Sequence, residues 1–282
     1  MILVTGGAGR LGFEVVKLLS LDGFEVMAFD LPNVDWSRIE ALHGVRVFKG
    51  DITDPNQFSI VKREVDAVIH LAALMPPNSE RNRDLTFKVN VQGTKNVLNS
   101  FGEVTSIVFA SSISTYGITA NVSQPIDESR PLAAHDNYSE SKIAGEVLIR
   151  GAGKPFTILR IAPISVVDLV ELPEVVPYRS DQRVEFIYVE DAAQAVRSAL
   201  NLTGKRETYN IAGGSSWQMK GEEYIERFYR ALGVDVDPNF SKEYTATDWY
   251  DTRKSAPLNY QNTSFHRLEE KLKALGEELE LR

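Results

Sequence analysis

Residues 5–12 read Thr5-Gly6-Gly7-Ala8-Gly9-Arg10-Leu11-Gly12. This stretch directly follows the apolar run Ile2–Thr5 and opens a segment in which Leu11, Val15 and Leu18 recur at helical spacing. Glycines here let a phosphate approach the backbone without meeting a Cβ, and the N-terminus of the following helix offers unpaired N–H groups to the anion. A plain tight turn would show the same glycines, but a strand before and a helix after favour a phosphate-binding loop.

Strand-length apolar runs alternate with helical patterns throughout residues 1–160. The runs are Ile2–Thr5, Glu25–Asp30, Val45–Lys49, Ala67–Leu71, Ser106–Ser111 and Phe156–Arg160. Such alternation is typical of βαβ units, so we predict an α/β fold with a doubly wound parallel sheet, the Rossmann architecture. Ligands of such sheets bind beyond the carboxyl ends of the strands, at the point where strand order reverses.

The alternation ends after Arg160, where prolines interrupt the chain. Residues 161–183 hold three of them and are predicted to be loop. Further predicted elements are the strands Phe186–Val189 and Thr208–Ile211 and the helices Glu190–Asn201, Trp217–Leu232 and Phe265–Leu275. We therefore predict a nucleotide-binding domain over residues 1–160, to which residues 184–212 return. A small substrate-binding lobe would consist of residues 161–183 and 213–282.

The composition excludes several classes of protein. A chain of 282 residues with a net charge of −8 disfavours nucleic acid or an anionic membrane as the main partner. The absence of cysteine excludes disulfides, thiolate metal sites and cysteine nucleophiles. The four histidines are scattered without ligand spacing, so no metal site is predicted. The sequence shows no apolar run of about 18 residues and no signal-peptide pattern, and we expect a cytoplasmic protein.

Asp30 ends the second predicted strand and indicates the cofactor. A carboxylate there accepts hydrogen bonds from both ribose hydroxyls of an adenosine and repels a 2′-phosphate. Residues 31–33 carry no positive charge to neutralise that phosphate. The pattern favours NAD over NADP, although a solvated turn aspartate would look the same. Asp51 and Ile52 follow the third strand, where they can meet the adenine edge. The residues predicted from these motifs to bind NAD are Gly6, Gly9, Arg10, Leu11, Gly12, Asp30, Asp51 and Ile52.

A tyrosine and a lysine four residues apart supply the predicted catalytic chemistry. Tyr138 and Lys142 share one face of a predicted helix. A nearby ammonium and a positive nicotinamide both favour the phenolate, so a tyrosine whose free pKa is about 10 becomes a usable base. Ser112 ends the fifth strand, where its hydroxyl can stabilise developing alkoxide charge. A surface Tyr–Lys pair is the alternative, but Ser112 and the glycine loop favour catalysis.

Further motifs follow one another in order along the chain. They are Gly50-Asp51-Ile52-Thr53-Asp54, His70-Leu71-Ala72-Ala73, Asn90-Val91-Gln92-Gly93-Thr94, Ser111-Ser112 with Tyr116-Gly117, Tyr138-Ser139-Glu140-Ser141-Lys142, Phe186-Ile187-Tyr188-Val189-Glu190-Asp191 and Tyr209-Asn210-Ile211-Ala212. With the glycine loop and Asp30, their order and spacing resemble the extended short-chain dehydrogenase/reductase family, in particular its NAD-dependent epimerase/dehydratase branch. The resemblance extends from Met1 to about Ala212.

The resemblance implies roles for further residues. The residues expected to wall the cofactor diphosphate and the nicotinamide ribose, and so to bind NAD, are Leu71, Ala72 and Ala73. Asn90 would complete this set from the helix behind the site. Tyr138 and Lys142 are also predicted to bind NAD, and Lys142 is long enough to hold a ribose hydroxyl. Ser112, Tyr138 and Lys142 would have the catalytic roles argued above. The family also implies a homodimer built from the helix near Asp84–Phe101 and the helix that carries Tyr138. The apolar residues offered there as anchors are Val89, Val97, Ile143 and Val147.

The resulting hypothesis is NAD-dependent hydride transfer at a secondary alcohol of a sugar or nucleotide sugar. A dehydrogenase would release the ketone, whereas an epimerase would return the hydride to the other face and keep its NAD. Both stay open, as does a dehydrogenase of a small substrate such as a free sugar, a uronate or a polyol. A non-catalytic NAD-binding protein would not need the Ser/Tyr/Lys set and is therefore disfavoured.

The substrate side departs from the family pattern. Members that act on nucleotide sugars place an arginine two residues before the aromatic of the F-I-x-V-x-D motif, and that position is Val184 here. Such members also carry an asparagine shortly after the strand that ends at Arg160, but residues 161–165 contain none. A further arginine is expected near residues 244–249, and that stretch contains none either. A diphosphate prefers guanidinium partners, so these differences favour a smaller substrate. Arg81, Arg83, Arg179 and Arg183 are the candidates for replacing the missing arginines, although the pattern favours a solvated surface arginine at each position.

Overall fold

A seven-stranded sheet forms the centre of the protein, and every strand pair in it is parallel. The structure is a computed structural model that describes residues 1–59, 61, 64–168 and 172–279. Residues 169–171 of the predicted loop and 280–282 of the predicted lobe lie outside the described residues. The strands of the sheet are β1 (Ile2–Thr5), β2 (Val26–Asp30), β3 (Val45–Lys49), β4 (Ala67–His70), β5 (Ser106–Ser112), β6 (Phe156–Ile161) and, later in the chain, β10 (Glu207–Ile211).

Strand order places the ligand crevice. The sheet runs β10-β6-β5-β4-β1-β2-β3, so the chain moves outward in one direction from β1 and then resumes on the other side of it at β4. The carboxyl ends of β1 and β4 therefore flank the point at which strand order reverses. All four residues of β1 are buried, as expected of a strand covered on both faces. The predicted doubly wound α/β fold is confirmed.

Helices cover both faces of the sheet. They are α1 (Arg10–Leu21), α2 (Ser37–Glu40), α3 (Asn78–Arg81), α4 (Arg83–Phe87), α5 (Gly93–Ser100), α6 (Asn137–Gly151), α7 (Val189–Ala199), α8 (Gly221–Leu232) and α9 (Phe265–Glu278). One face packs against α1 and α7 through side chains such as Val15, Leu19 and Val196. The other packs against α5 and α6 through Val97 and Ile149.

Short strand pairs and two helices build the lobe. β7 (Ile164–Ser165) pairs with β9 (Ile187–Tyr188), and β8 (Arg183–Val184) pairs antiparallel with β11 (Met219–Lys220). These strands and the helices α8 and α9 surround a separate apolar cluster. Trp217, Tyr224 and Phe265 lie at the centre of that cluster, with ring centroids 5.2–5.4 Å apart where they touch Phe265.

The predicted elements of this region have different bounds in the structure. The predicted loop 161–183 contains β7 and the first residue of β8, because these short segments pair with β9 and β11. The helix predicted over Glu190–Asn201 runs over Val189–Ala199, the strand predicted over Thr208–Ile211 begins at Glu207, and the last helix continues to Glu278.

The predicted strand Phe186–Val189 shortens to Ile187–Tyr188, because Val189 already begins α7. The predicted helix Trp217–Leu232 begins only at Gly221. The indole of Trp217 is fully buried, and the next residues pair with β8 before the helix starts. No described helix has the length and apolarity that crossing a bilayer requires.

Candidate active site

The glycine loop sits at the carboxyl end of β1 and is shaped by close backbone contacts. Gly6 has a φ of +72°, a conformation that L side chains rarely adopt. A Cβ on Gly12 would lie 2.0 Å from the Gly6 carbonyl oxygen, so only glycine lets α1 press against the turn. Gly9 caps α1 without a side-chain hydrogen bond, and a Cβ there would meet only the Gly6 carbonyl, at 3.3 Å. The N-terminus of α1 is thus open to an anion at Gly9.

The residues that open α1 lie beside this entrance. Arg10 and Leu11 are its first two residues, and the Arg10 side chain lies 3.9 Å from the carboxylate of Asp168. Leu11 is half-buried and packs on the core of the same sheet face. Both residues therefore border the glycine loop, and their binding of a cofactor stays a prediction.

Asp30 joins the end of β2 to the glycine loop. Its carboxylate accepts hydrogen bonds from the Ala8 N–H at 3.1 Å and the Leu31 N–H at 2.8 Å. Each of its oxygens keeps further lone pairs for a hydroxyl. One strand over, the exposed Asp51 accepts from the Thr53 N–H at 2.8 Å and so caps its own turn, while its neighbour Ile52 is buried. Asp30, Asp51 and Ile52 therefore lie at the carboxyl ends of the adjacent strands β2 and β3.

Residues 71–73, which hold Leu71, Ala72 and Ala73, leave β4 opposite the glycine loop. A Cβ on Gly6 would lie 2.8 Å from the Ala72 nitrogen, so wall and loop touch. Thr5 accepts from the Ala72 N–H at 3.3 Å and donates to His70 Nδ1 at 2.7 Å. His70 Nε2 then lies 2.9 Å from the Thr94 hydroxyl, which itself donates to a carbonyl. The network places the proton of His70 on Nε2, and burial, with the charge of Lys142, lowers the pKa of His70 to about 3.

Asn90 holds the end of this wall from behind. It lies in a π-helical turn over Lys88–Gln92, and its side chain is buried. Its Oδ1 accepts from the Leu74 N–H at 2.7 Å, and its Nδ2 donates to the Leu74 carbonyl at 3.0 Å and to Ser141 Oγ at 2.9 Å. Asn90 therefore ties the wall to α6 rather than lining the crevice itself.

Tyr138, Lys142 and Ser112 come together where β5 ends. The Lys142 ammonium lies 5.7 Å from the centroid of the Tyr138 ring and donates to the Ala110 carbonyl at 2.8 Å. Burial raises the pKa of Tyr138 above its usual range, and a hydrogen bond with Ser112 acts in the opposite direction. Burial also lowers the pKa of Lys142 to about 8, against the attraction of Glu146. The phenol therefore needs the nearby cation before it can act as a base.

Two carboxylates fix the first turn of the helix that carries Tyr138. The Asp136 carboxylate accepts from the Ser139 N–H at 2.7 Å, and the Ser139 hydroxyl accepts in return from the Asp136 N–H. Glu80 accepts from the Asn137 and Tyr138 N–H groups at 2.9 and 3.1 Å. Neither Asp136 nor Glu80 was among the site residues predicted from the sequence. Asp136 has a local signal, the capping spacing to Ser139, whereas Glu80 is 58 residues away in sequence and has none.

The four arginines considered for a diphosphate each have a partner within the protein. Arg81 donates to Asn78 Oδ1 at 3.3 Å, and Arg83 donates to Glu140 at 2.7 Å. Arg183 binds Asp248 through Nε at 2.6 Å and Nη2 at 3.1 Å, and Asp248 is fully buried. Arg179 forms a two-point ion pair with Asp181 at 2.6–2.7 Å. Val184 points into the core of the lobe with no exposed surface. Among the described residues, no group of three His, Asp or Glu side chains is placed to hold a metal ion.

The chain matches a known protein family. The model of the NAD dependent epimerase/dehydratase family matches residues 2–164, more than half of the chain. The chain belongs to this family. The resemblance drawn from the motifs is confirmed, and with it NAD as the cofactor of the family.

Individual relatives within and around the family differ in what they act on. D-erythronate dehydrogenase of Cupriavidus necator is 29% identical over 184 residues, which cover 58% of this chain and 55% of that protein. A putative UDP-glucose 4-epimerase of Methanocaldococcus jannaschii is 31% identical over 241 residues, 76% of this chain and 77% of that protein. The chain spans about half the length of several of the curated relatives it matches.

A solved structure extends the likeness to the whole fold. The UDP-glucose-4-epimerase of Stenotrophomonas maltophila, with bound NAD and formylated UDP-arabinopyranose, superposes with a TM-score of 0.83. The two chains are 23% identical, and the match covers 99% of this chain and 98% of the other. At this identity the likeness concerns the fold, which both chains share from the glycine loop to the lobe.

Proposed function

We propose that the protein is an NAD-dependent oxidoreductase or epimerase that acts at a secondary alcohol of a sugar or nucleotide sugar. The observation that carries the proposal is the meeting of Tyr138, Lys142 and Ser112 at the end of β5, beside the wall that faces the glycine loop. This arrangement supports the proposal, because hydride transfer at an alcohol needs a base, a cation and a hydroxyl donor near the substrate oxygen.

The residues present fit a dinucleotide. The open helix start at Gly9 suits the diphosphate, and the free lone pairs of Asp30 suit the ribose hydroxyls of the adenosine. Bound NAD supplies a hydride acceptor at C4 of its nicotinamide. The cofactor-facing positions Gly6, Gly12, Asp51 and Leu71 to Ala73 belong to the same proposal.

The protein's own residues would move the proton and hold the oxygen. Tyr138, as phenolate, takes the proton of the substrate hydroxyl. The carbinol carbon gives up its hydrogen as hydride, with both electrons of the C–H bond. The single C–O bond then becomes the C=O bond of the ketone. Lys142 stabilises the phenolate. Ser112 donates to the substrate oxygen as its charge develops. An epimerase reverses the same steps on the other face of the ketone.

Replacement of Tyr138 tests this assignment. Tyr138→Phe should lower turnover on an identified alcohol by about a hundredfold or more, the usual scale of general acid–base catalysis. NAD binding should survive, because the phenol does not hold the cofactor. A screen of sugars, uronates and nucleotide sugars for NADH formation supplies the substrate, and steady NADH production would favour a dehydrogenase over an epimerase. A fully active Tyr138→Phe would show that the base is another residue.

A second candidate is a dehydrogenase of a small, non-nucleotide substrate. The buried Val184 and the Arg183–Asp248 pair favour it, because neither leaves a guanidinium free for a diphosphate. The relative named as D-erythronate dehydrogenase also supports it. Calorimetric titration with UDP separates the two candidates, and a dehydrogenase of a small substrate should show no binding of UDP. Binding at tens of micromolar or tighter that Arg183→Ala abolishes would contradict this candidate.

We further propose a homodimer through α4, α5 and α6 of a protein that resides in the cytoplasm and binds neither nucleic acid nor membrane. Val147 is 65% exposed on α6, and Ile143 and Val89 are half-buried, so these three suit a contact. Val97 has no exposed surface and packs on the sheet, so it cannot be an anchor. Light scattering tests the dimer, and cell fractionation tests the location.

A further inference from the structure

Helix α6 carries a buried carboxylate in the same i, i+4 row as Tyr138 and Lys142. Glu146 is one turn beyond Lys142 and only 1% exposed. Its Oε1 accepts from the Ser111 hydroxyl at 2.7 Å and from Arg160 Nε at 2.9 Å, and its Oε2 accepts from Arg160 Nη2 at 2.8 Å. The three side chains at spacings of four therefore continue the polar face of the site into the sheet.

Two cations share this dry region with a single buried carboxylate. Lys142 and Arg160 are each 4% exposed. A guanidinium does not lose its proton in a protein, whereas a lysine ammonium does when burial is not compensated. Lys142 donates one hydrogen bond to a carbonyl and faces the Phe109 ring at 5.2 Å. Of the two cations, Lys142 is therefore the one that would lose its proton if the negative charge of the buried carboxylate were removed.

Charged and titratable groups on the surrounding elements also affect the charge balance between Lys142, Arg160 and Glu146. From α6 itself, Tyr138 lies beside Lys142, and Arg150 reaches within 3.6 Å of Glu146. From the sheet and the loops, the charged or titratable groups in reach are neutral His70 on β4, Arg160 on β6, the Tyr116 hydroxyl at 3.0 Å from Arg160, and Glu128, whose backbone carbonyl accepts from Arg160. Ser111 on β5 is uncharged and donates to Glu146. Of these, Glu146 is the carboxylate in direct contact with Arg160.

We propose that Glu146 is a positioning residue for Lys142: it offsets the charge of Arg160 and keeps the Lys142 ammonium protonated and extended beneath Tyr138. The inference rests on the proposed function, in which Lys142 stabilises the Tyr138 phenolate. Loss of Glu146 would leave Arg160 unopposed, discharge Lys142 and so make the phenol harder to ionise. The acidic limb of kcat/KM for alcohol oxidation would move to higher pH. A direct effect of Glu146 on Tyr138 has the opposite sign, because removing a negative charge favours the phenolate.

An NMR titration of isotope-labelled lysine ε-carbons tests the inference without any substrate, with the Lys142 signal assigned by Lys142→Arg. In Glu146→Gln, Lys142 should titrate at least one pH unit lower than in the unchanged protein, a tenfold change in its proton affinity. The matched control is Asp191→Asn, a buried carboxylate on α7 that binds the backbone at Thr263. It should leave Lys142 unmoved. An unchanged Lys142 in Glu146→Gln, or an equal shift in Asp191→Asn, would overturn the inference.

Arg160→Gln tests the same balance from the other side, and it decides the matter if Glu146→Gln does not fold. With Glu146 free of Arg160, Lys142 should titrate at higher pH than in the unchanged protein, and a lower or equal value would refute the proposal. The double variant should lie between the two single variants. Since these readouts need no activity, they stand even if no alcohol is oxidised, an outcome that would refute the proposed function instead. Once a substrate is known, the acidic limb should move upward in Glu146→Gln.

Discussion

Replacing His70 with glutamine should remove much of the acid sensitivity of the fold. The ring is buried between Thr5 and Thr94, accepts one hydrogen bond and donates the other. Glutamine also offers one acceptor and two donors but does not titrate in this range. The variant should be less stable at pH 7, because it loses the contact with Phe109, whose ring centroid lies 5.6 Å away. Its stability should then change less as the pH falls.

The magnitude follows from the displaced pKa. The pKa of His70 is lowered from 6.5 to about 3, so between these values the unfolded chain binds a proton that the folded chain does not. The free energy of unfolding therefore falls as the pH falls through this window. The loss is about 2 kcal/mol by pH 5 and about 3 kcal/mol by pH 4, with a ceiling of about 5 kcal/mol.

Urea unfolding followed by tryptophan fluorescence at pH 7, 6 and 5 measures the effect. Between pH 7 and 5 the unchanged protein should lose about 2 kcal/mol more than His70→Gln, since the other titrating groups are common to both. His43→Gln, which removes an exposed histidine, should behave like the unchanged protein. Parallel pH dependences for His70→Gln and the unchanged protein would refute the argument that His70 stays neutral in the fold.

Four further predictions concern cofactor, helix and assembly. NAD should bind at least tenfold tighter than NADP, about 1.4 kcal/mol, and Asp30→Ser should narrow that ratio in a binding titration. Gly12→Ala should displace the loop and weaken NAD binding at least tenfold, whereas Gly151→Ala, with open space around its Cβ, should not. Glu80→Gln should cost about 1 kcal/mol of stability in a denaturant titration and lower kcat, because it loosens the backbone of Tyr138, the proposed catalytic base. Val147→Glu should convert the dimer to single chains in light scattering; one chain mass for the unchanged protein would remove the dimer proposal.

Local spacing explains what the sequence predicted well. The glycine loop between Ile2–Thr5 and α1 depends on neighbours in the chain, and so does the pairing of Tyr138 with Lys142 on one helix face. Alternating apolar runs sufficed for the order of strands and helices up to β6. Glu146 continues the same spacing of four, so a buried polar stripe on α6 was visible in principle, but nothing in the sequence shows that Arg160 lies opposite it.

Long-range contacts explain what the sequence did not predict. Arg183 was considered as a diphosphate ligand, yet it pairs with Asp248, 65 residues later. Glu80 caps α6 from a different segment, and Val97 turns to the sheet although a helical pattern alone allowed it to face a partner. Each outcome depends on which segments the fold brings together, and that information is absent from spacing within one element.

The hydrogen bond from the Ala8 N–H to Asp30 has a consequence for how long a cofactor stays bound. It is internal to the protein, so the shape of the glycine loop is set by the end of β2. Ordering one residue of backbone costs about 1–2 kcal/mol, and here folding has already met that cost for the loop. A dinucleotide that enters a loop ordered in advance keeps more of its contact energy as affinity, and residence time rises with it. Under the proposed function, an epimerase would gain most from such a loop, because one NAD would then serve many turnovers without leaving.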